Sequence, residues 1–420
     1  MRNRTERTAG TQATTLPPPE LTAVELFTGA GGMARGLSDA GFRHLALVER
    51  DHDSCWTLLE NRRRGALEDW PLFESDVRSF DYSLVQGDVD LLAGGVPCQP
   101  FSVGGKHRGG GDPRNMFPEV TRAVRALRPK AVLLENVRGL LRRNFARYFG
   151  HIQLSLAYPE IGQREGETWA EHLGRLERYH TSGNPKGLFY RVLYRYVDAA
   201  DYGVPQRRHR VFIVALRGDQ PLAWSFPRPT HARAALLHSQ IVTGEYWERH
   251  AIPKRRRPAA DPRVAAGLLQ RGLFATRQPL QPWRTVRDAI ADLPPAGDAR
   301  GPDEPGLTHF QVPGARSYPG HTGSVWDSPA KTLKAGDHGV PGGENMLAED
   351  DGSVRYFTIR ESARLQAFPD EFVFPGSWTE SMRQVGNAVP VSLARVIGQH
   401  LSETLRRRNG PGTEPIQPAG

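Results

Sequence analysis

A chain of 420 residues has room for about two domains of ~100–200 residues each, and it can bury enough surface to fold without staples. Hydrophobic residues make up 38% and charged residues 24%, a globular composition, and two cysteines are too few for a disulfide-built secreted scaffold. Lysine and arginine number 55 against 46 acidic residues, giving a net charge of +9 that points to a polyanionic partner but says nothing of the fold.

Residues 1–20 are polar and proline-rich with no apolar centre, so they read as a disordered tail rather than a signal peptide or anchor. No apolar run approaches the ~18 residues of a membrane span, and the expected location is cytoplasmic. Ala23–Phe27 reads as a strand, Gly29–Gly32 as a turn and Met33–Ala40 as a helix. His44–Glu49 and Asp53–Arg63 repeat the strand and helix. Asp90–Ala93 is a short buried strand. Phe117, Val120, Val124 and Leu127 recur at spacings of three and four, one face of a helix, and Ala131–Leu134 is the strand after it. A polar, helical-looking insertion at about 151–187 precedes the strand Arg210–Leu216. This rhythm is that of an α/β domain with a doubly wound, mostly parallel sheet over 21–217. After Arg217 proline and glycine become frequent, periodicity fades and the basic run Lys254-Arg255-Arg256-Arg257 appears, so 218–350 reads as a second, smaller, irregular domain. Helical pattern returns at Ile359–Gln366 and Val391–Leu405, where 351–405 is expected to rejoin the first domain ahead of a polar tail at 406–420.

Gly29-Ala30-Gly31-Gly32-Met33-Ala34 fits G-x-G-x-x-A between a strand and a helix, and Glu49 ends the next strand. Glycines there allow close approach of backbone to a cofactor, and the acid accepts from ribose hydroxyls. The pattern alone suits NAD as well as any other adenosine-bearing cofactor. Asp76 is placed to accept from an adenine amino group. Gly94-Gly95-Val96-Pro97-Cys98-Gln99-Pro100-Phe101-Ser102 then puts a lone cysteine just beyond a strand's carboxyl end, on a loop stiffened by prolines. That is where a nucleophile is expected in an open α/β sheet. Leu133-Leu134-Glu135-Asn136-Val137 sets a carboxyl at the end of its own strand, toward the same edge, able to hydrogen-bond a heterocyclic ring nitrogen.

With Pro205-Gln206-Arg207-Arg208-His209-Arg210, the stretch from Ile359 to Pro369, and Gln384-Val385-Gly386-Asn387-Ala388-Val389-Pro390, these motifs resemble in order those of the DNA (cytosine-5)-methyltransferases of bacterial restriction-modification type. The resemblance runs from about Val24 to Ile397, with a variable stretch where that family keeps its target-recognition domain. It implies a Rossmann-like methyltransferase fold and an S-adenosylmethionine site made by Phe27, Gly29, Gly31 and Gly32, with Glu49 at the ribose and Asp76 and Val77 at the adenine. Pro97 and Asn387 would close that site. It further implies Cys98 as the nucleophile, Glu135 on the cytosine N3 and amino edge, Arg210 reaching the base and Arg208 supporting the loop in the catalytic set. Gln99, Ser102, Gln206 and Thr332 are the implied DNA contacts.

Thiolate addition at C6 would make C5 nucleophilic, and the base must leave the duplex to be reached. The implied partner is double-stranded DNA, bound by a monomer that needs no metal. Whether a separately encoded cognate restriction endonuclease accompanies it is left open, as is the role of 151–187. Among rivals, a tRNA cytosine-5 methyltransferase is disfavoured by the missing Cys-Phe-Thr motif. An NAD-dependent oxidoreductase leaves Cys98, Glu135 and the Gln-Arg motif unexplained. A non-catalytic relative would have no need of both Cys98 and Glu135.

Overall fold

A computed structural model describes residues 20–97, 115–183, 186–219, 224–259, 262–270, 280–297, 309–335 and 345–407. Cys98, Gln99 and Ser102, the tail expected before residue 20, most of the tail expected after 405, and the glycines at 336, 339, 342 and 343 lie outside the described residues.

Seven strands form one sheet: β1 (Leu21–Leu26), β2 (Phe42–Glu49), β3 (Leu72–Glu74), β4 (Leu91–Gly95), β5 (Ala131–Val137), β6 (Tyr190–Asp198) and β7 (His209–Arg217). Their order is β3-β2-β1-β4-β5-β7-β6. The first five pair in parallel, and β7 runs antiparallel to both β5 and β6. The carboxyl ends of six strands and the start of β7 therefore share one edge, with the order reversing between β1 and β4. Crevices at such reversals are where open α/β sheets hold ligands.

The first half carries α1 (Gly32–Ser38), α2 (His52–Arg63), α3 (Phe117–Leu127), α4 (Ala146–Ala157) and α5 (Trp169–Thr181). The insertion read as helical at 151–187 is the second half of α4, a turn, and α5. Thr168 starts α5 with a capping box closed by Glu171, and each side chain satisfies an N–H the helix leaves open. Phe117, Val120 and Val124 are buried on α3, as their spacing predicts.

The second region holds β8 (His231–Ala232), α6 (Arg233–Ile241), α7 (Glu245–Arg249), α8 (Pro262–Gln270), β9 (Gln281–Pro282), α9 (Val286–Ile290), β10 (Ser324–Val325), β11 (Met346–Ala348) and β12 (Val354–Tyr356). It is less irregular than its sequence suggests. Its helices span only five to nine residues, too short to establish a 3.6-residue period by eye. Leu236, Tyr246, Trp247 and Trp283 pack with Ala200 of the main body. The chain then returns through α10 (Ile359–Leu365), α11 (Trp378–Asn387) and α12 (Val391–Arg407).

Both faces of the sheet are covered, as a parallel sheet requires. On one face Leu26, Val48, Leu134 and Ile213 pack with Val120 of α3 and Ile152 of α4. On the other, Ala23, Leu133 and Phe212 pack with Leu37 of α1 and Leu393 and Ile397 of α12. α1 and α12 cross so closely that a Cβ on Gly36 would stand 2.5 Å from the Val391 carbonyl and 2.6 Å from the Ala394 Cβ.

Candidate functional site

The shared edge of the sheet is hollowed into a cavity of about 610 Å³. Phe27 to Ala30 line it after β1, Glu49 to Asp51 after β2, Ser75 to Arg78 after β3, and Gly95 to Pro97 at the end of β4. Glu135 and Val137 contribute from β5, Arg210 from β7, and Arg383, Gln384 and Asn387 from α11. The volume suits a nucleoside-sized ligand.

The glycine turn is built by its neighbours. Phe27 adopts φ +56° and Gly29 φ +55°. A left-handed aromatic residue stores about 1–3 kcal/mol of strain and marks a site whose surroundings enforce it. Glu49 fixes the turn from the next strand: its Oε2 accepts from the Gly29 N–H at 2.7 Å, and its Oε1 accepts from the N–H groups of Arg50 and Asp51, each at 2.8 Å. Oε1 is thereby filled by two donors, while Oε2 keeps a lone pair free on the cavity wall.

Gly31 and Gly32 stand apart from the cavity wall. A Cβ on Gly31, at φ +84°, would lie 2.7 Å from Leu58, and one on Gly32 would lie 2.4 Å from the Val389 carbonyl. Both glycines let α1 begin against α2 and the α11–α12 junction.

Asp76 lies on the wall with Val77. Its carboxylate takes Arg78 Nη2 at 2.6 Å and the Arg78 N–H at 2.9 Å, with Arg50 Nη1 at 3.4 Å. Those bonds, led by the Arg78 guanidinium, hold its carboxyl well below the usual carboxylate range. Asp76 is therefore an ionised acceptor at neutral pH.

Toward the centre of the edge, Arg210 Nε stands 2.6 Å from Glu135 Oε1, both largely buried. The segment leading to Cys98 is tied to this carboxyl's own strand. Val96 N–H donates to the Glu135 carbonyl at 3.2 Å, and Asn136 Nδ2 donates to the Val96 carbonyl at 3.1 Å.

Two expectations change. Gln206, expected to touch DNA, is fully buried. Its Nε2 donates to the Leu365 carbonyl and to Gln366 Oε1, both at 3.2 Å, and its Oε1 accepts from Leu333 N–H at 3.0 Å. No polar atom is left for a nucleic acid. Arg208, placed in the catalytic set as a support, is also fully buried and does not line the cavity. Its guanidinium donates to the carbonyls of Leu333, Gly386 and Ala388 at 3.0, 2.7 and 3.0 Å. It clamps α11 and the segment around Leu333 to β7. Thr332 is half-buried and donates its hydroxyl to the Arg207 carbonyl at 2.6 Å.

Sequence reasoning missed Glu25, a carboxyl inside the apolar strand β1 that lines the cavity and is buried beside His44 at 3.6 Å. Burial pushes its carboxyl up, against the pull of His44. The signal was available, since an acid amid Ala23-Val24 and Leu26 needs a reason. It also missed Arg383, which joins Asp51 at 2.7 Å and Glu380 at 2.6 Å and so pins α11 to the start of α2 over the cavity.

Comparison with known proteins agrees with this geometry. The sequence matches the family model of the C-5 cytosine-specific DNA methylases over residues 21–158, 176–271 and 299–403. It is similar to the type II methyltransferase M.NgoMIV of Neisseria gonorrhoeae, 33% identical over 393 residues covering 93% of this chain and 100% of that protein. It is also similar to M.Eco47II of Escherichia coli, 31% identical over 396 residues covering 92% of this chain and 81% of that one. In fold it resembles the S. pombe Dnmt2 methyltransferase, with a TM-score of 0.52 at 18% identity over 93% of this chain and 100% of that one. With the ordered motifs set around one cavity at the sheet's switch point, the chain belongs to the C-5 cytosine-specific DNA methylases, the DNA cytosine-5 methyltransferases.

Proposed function

We propose that this protein methylates C5 of a cytosine flipped out of duplex DNA, using S-adenosylmethionine, as the cytoplasmic, monomeric modification enzyme of a type II system. The observation that carries this reading is that one cavity, at the carboxyl ends of the strands, holds both the Glu49 and Asp76 carboxylates beside the glycine turn and the Glu135–Arg210 pair.

The residues present fit the methyl donor. Its sulfonium and ammonium are cations, and Glu25 and Glu49 line the cavity, together with Asp51 and Asp76, which Arg383, Arg78 and Arg50 already pair. Glu49 would take the ribose hydroxyls and Asp76 the adenine amino group, Phe27 and Val77 would flank the adenosine, and Pro97 and Asn387 would close the site. When bound, S-adenosylmethionine supplies an electrophilic methyl group.

Cytosine C5 is a weak nucleophile until the ring is opened to addition. The Cys98 thiolate adds to C6, and the displaced electron pair runs toward N3. There Glu135 shares a proton and stabilises the charge, which leaves C5 nucleophilic. Arg210 holds that carboxyl in place and sets a cation beside the accumulating charge. After methylation, a base or water takes the C5 proton, and the electron pair left behind reforms the C5–C6 double bond and expels Cys98 as thiolate. Gln99 and Ser102 would contact the DNA beside the nucleophile, Thr332 would support the flipped strand, and unstacking would cost a few kcal/mol.

Bisulfite sequencing of DNA from a methylation-free host expressing this protein tests the reading. Protected cytosines should fall in one repeated sequence context and vanish in a Cys98→Ser control. A soluble enzyme that leaves every cytosine unprotected would refute it.

A further inference from the structure

The motif that buries Gln206 and Arg208 turns the residue between them outward. Arg207 is half-exposed, with 45% of its side chain accessible. Its Nε donates to Asp198 Oδ2 at 2.6 Å, its Nη2 lies 3.2 Å from His209 Nε2, and its guanidinium covers the ring of Trp283 with centroid distance 5.0 Å. His209 in turn stacks on Tyr196, the ring planes 10° apart and the centroids 5.3 Å apart. Tyr196 is 43% exposed. Three planar groups, Tyr196, His209 and Arg207, thus run in a row along one edge of the molecule, with a cation at one end and an aromatic face at the other.

Their place in the fold gives the row its meaning. Asp198 pairs with His209 and Val197 with Arg210 in the β6–β7 register, so the row stands at the same edge of the sheet as the Glu135–Arg210 pair. At its other side the Arg207 N–H donates to the Ala330 carbonyl at 2.8 Å, and Thr332 bonds the Arg207 carbonyl. The row therefore stands where the cavity edge of the sheet joins the second region.

We infer that Arg207 is a DNA-contacting residue that binds a backbone phosphate beside the flipped cytosine, held in position by Asp198 and flanked by His209 and Tyr196. The inference rests on duplex DNA being the substrate. A guanidinium suits the task because its planar fork of donors matches a phosphate, and stacking on an indole fixes it without neutralising it. Asp198 is buried and already takes the N–H groups of Ala200 at 3.3 Å and Arg208 at 3.1 Å, so it orients Arg207 through Nε and leaves Nη1 for a ligand. The competing account is that Arg207 serves only to neutralise Asp198.

The two accounts part on salt dependence. Duplex DNA carrying the recognition site is titrated with the full-length protein at a series of salt concentrations, for the wild type and for Arg207→Gln. Loss of one phosphate contact should lower the slope of log affinity against log salt by about 0.9. Tyr196→Ala, which removes a ring and no charge, should weaken binding while keeping the wild-type slope. Phenylglyoxal labelling of the wild type supplies a readout that needs no variant: Arg207 should be modified in the free protein and protected by DNA. An unchanged slope in folded Arg207→Gln, or labelling of Arg207 that DNA does not reduce, would overturn the inference. A wild type that fails to bind duplex DNA at all would instead refute the proposed function on which it rests.

Discussion

Glu135 can serve the base only if its carboxyl is held at the right angle, and the Arg210 Nε at 2.6 Å holds it there. Glu135→Gln keeps the size and most hydrogen-bonding capacity but removes the shared proton and the ion pair. Single-turnover methyl transfer should slow by about 10²–10³-fold, the usual loss when one stabilising group is removed, while DNA affinity changes little. Unchanged single-turnover rates would take Glu135 out of the mechanism. At this scale the sequence shows residue identity well and residue direction poorly. Glu49, Glu135 and Arg210 were legible as cavity residues because each stands at a strand end beside a motif, whereas Asp76 rested on the family resemblance. Gln206 and Arg207 were read the wrong way round, with the amide taken as the outward residue and the guanidinium passed over. Neither lies inside a strand, so no alternating pattern told which of the two turns into the protein. Glu25 was missed because its partner, His44, comes from a neighbouring strand 19 positions away in sequence, 44 − 25.

The α4–α5 pair holds two buried histidines in a defined chain. His172 Nε2 meets the Ile161 carbonyl at 2.7 Å, so that nitrogen carries the proton, and its Nδ1 accepts from His151 Nε2 at 2.9 Å. Burial pushes His151 down to about 4, and His172 is lowered for the same reason. The unfolded chain binds a proton at His151 near pH 6.5 and the native chain only near 4, so acid favours unfolding. Stability should fall as pH drops through that window, by up to about 3 kcal/mol for His151 alone. Thermal melts at pH 7, 6 and 5 check this. His151→Gln, which cannot charge, should melt lower at pH 7 yet lose less between pH 7 and 5. An equal loss in both proteins would assign the acid sensitivity elsewhere. Elements themselves were largely legible: the first strands, α1 to α3 and α12 lie within a few residues of their expected bounds. β6 was not, because an edge strand turns Arg191, Tyr194, Arg195 and Tyr196 outward and so lacks the apolar run of its buried neighbours. α11 was hidden behind the motif that it carries.

Charge on the cavity wall is paired rather than of one sign. The chain has a net charge of +9, and the cavity is lined by Glu25, Glu49, Asp51, Asp76 and Glu135 together with Arg50, Arg78, Arg210 and Arg383. On the proposed reading a polyanion meets the basic outer surface, while the methyl donor meets carboxylates inside the cavity. DNA affinity should fall at least tenfold between about 50 and 200 mM salt, as counterions compete for the phosphates. Affinity for S-adenosylmethionine should change by less than about threefold over the same range, because carboxylates inside a partly closed cavity are screened less. Equal salt sensitivity for both would mean that the cavity carboxylates do not hold the donor.

The crossing of α1 and α12 at Gly36 has a consequence for how the protein is made. The glycine turn and Glu49 are synthesised early, but the helix that covers α1 follows only after the entire second region. While the ribosome is still translating that region, the side of α1 that α12 covers lies open, and α11, with Arg383 and Asn387, does not yet exist. Domains tend to form in order of synthesis, but this one cannot. The cavity wall is completed only by the last helices, which carry Arg383, Gln384 and Asn387, so a chain released early lacks part of that wall. The cavity closes only on a chain that already contains the whole second region.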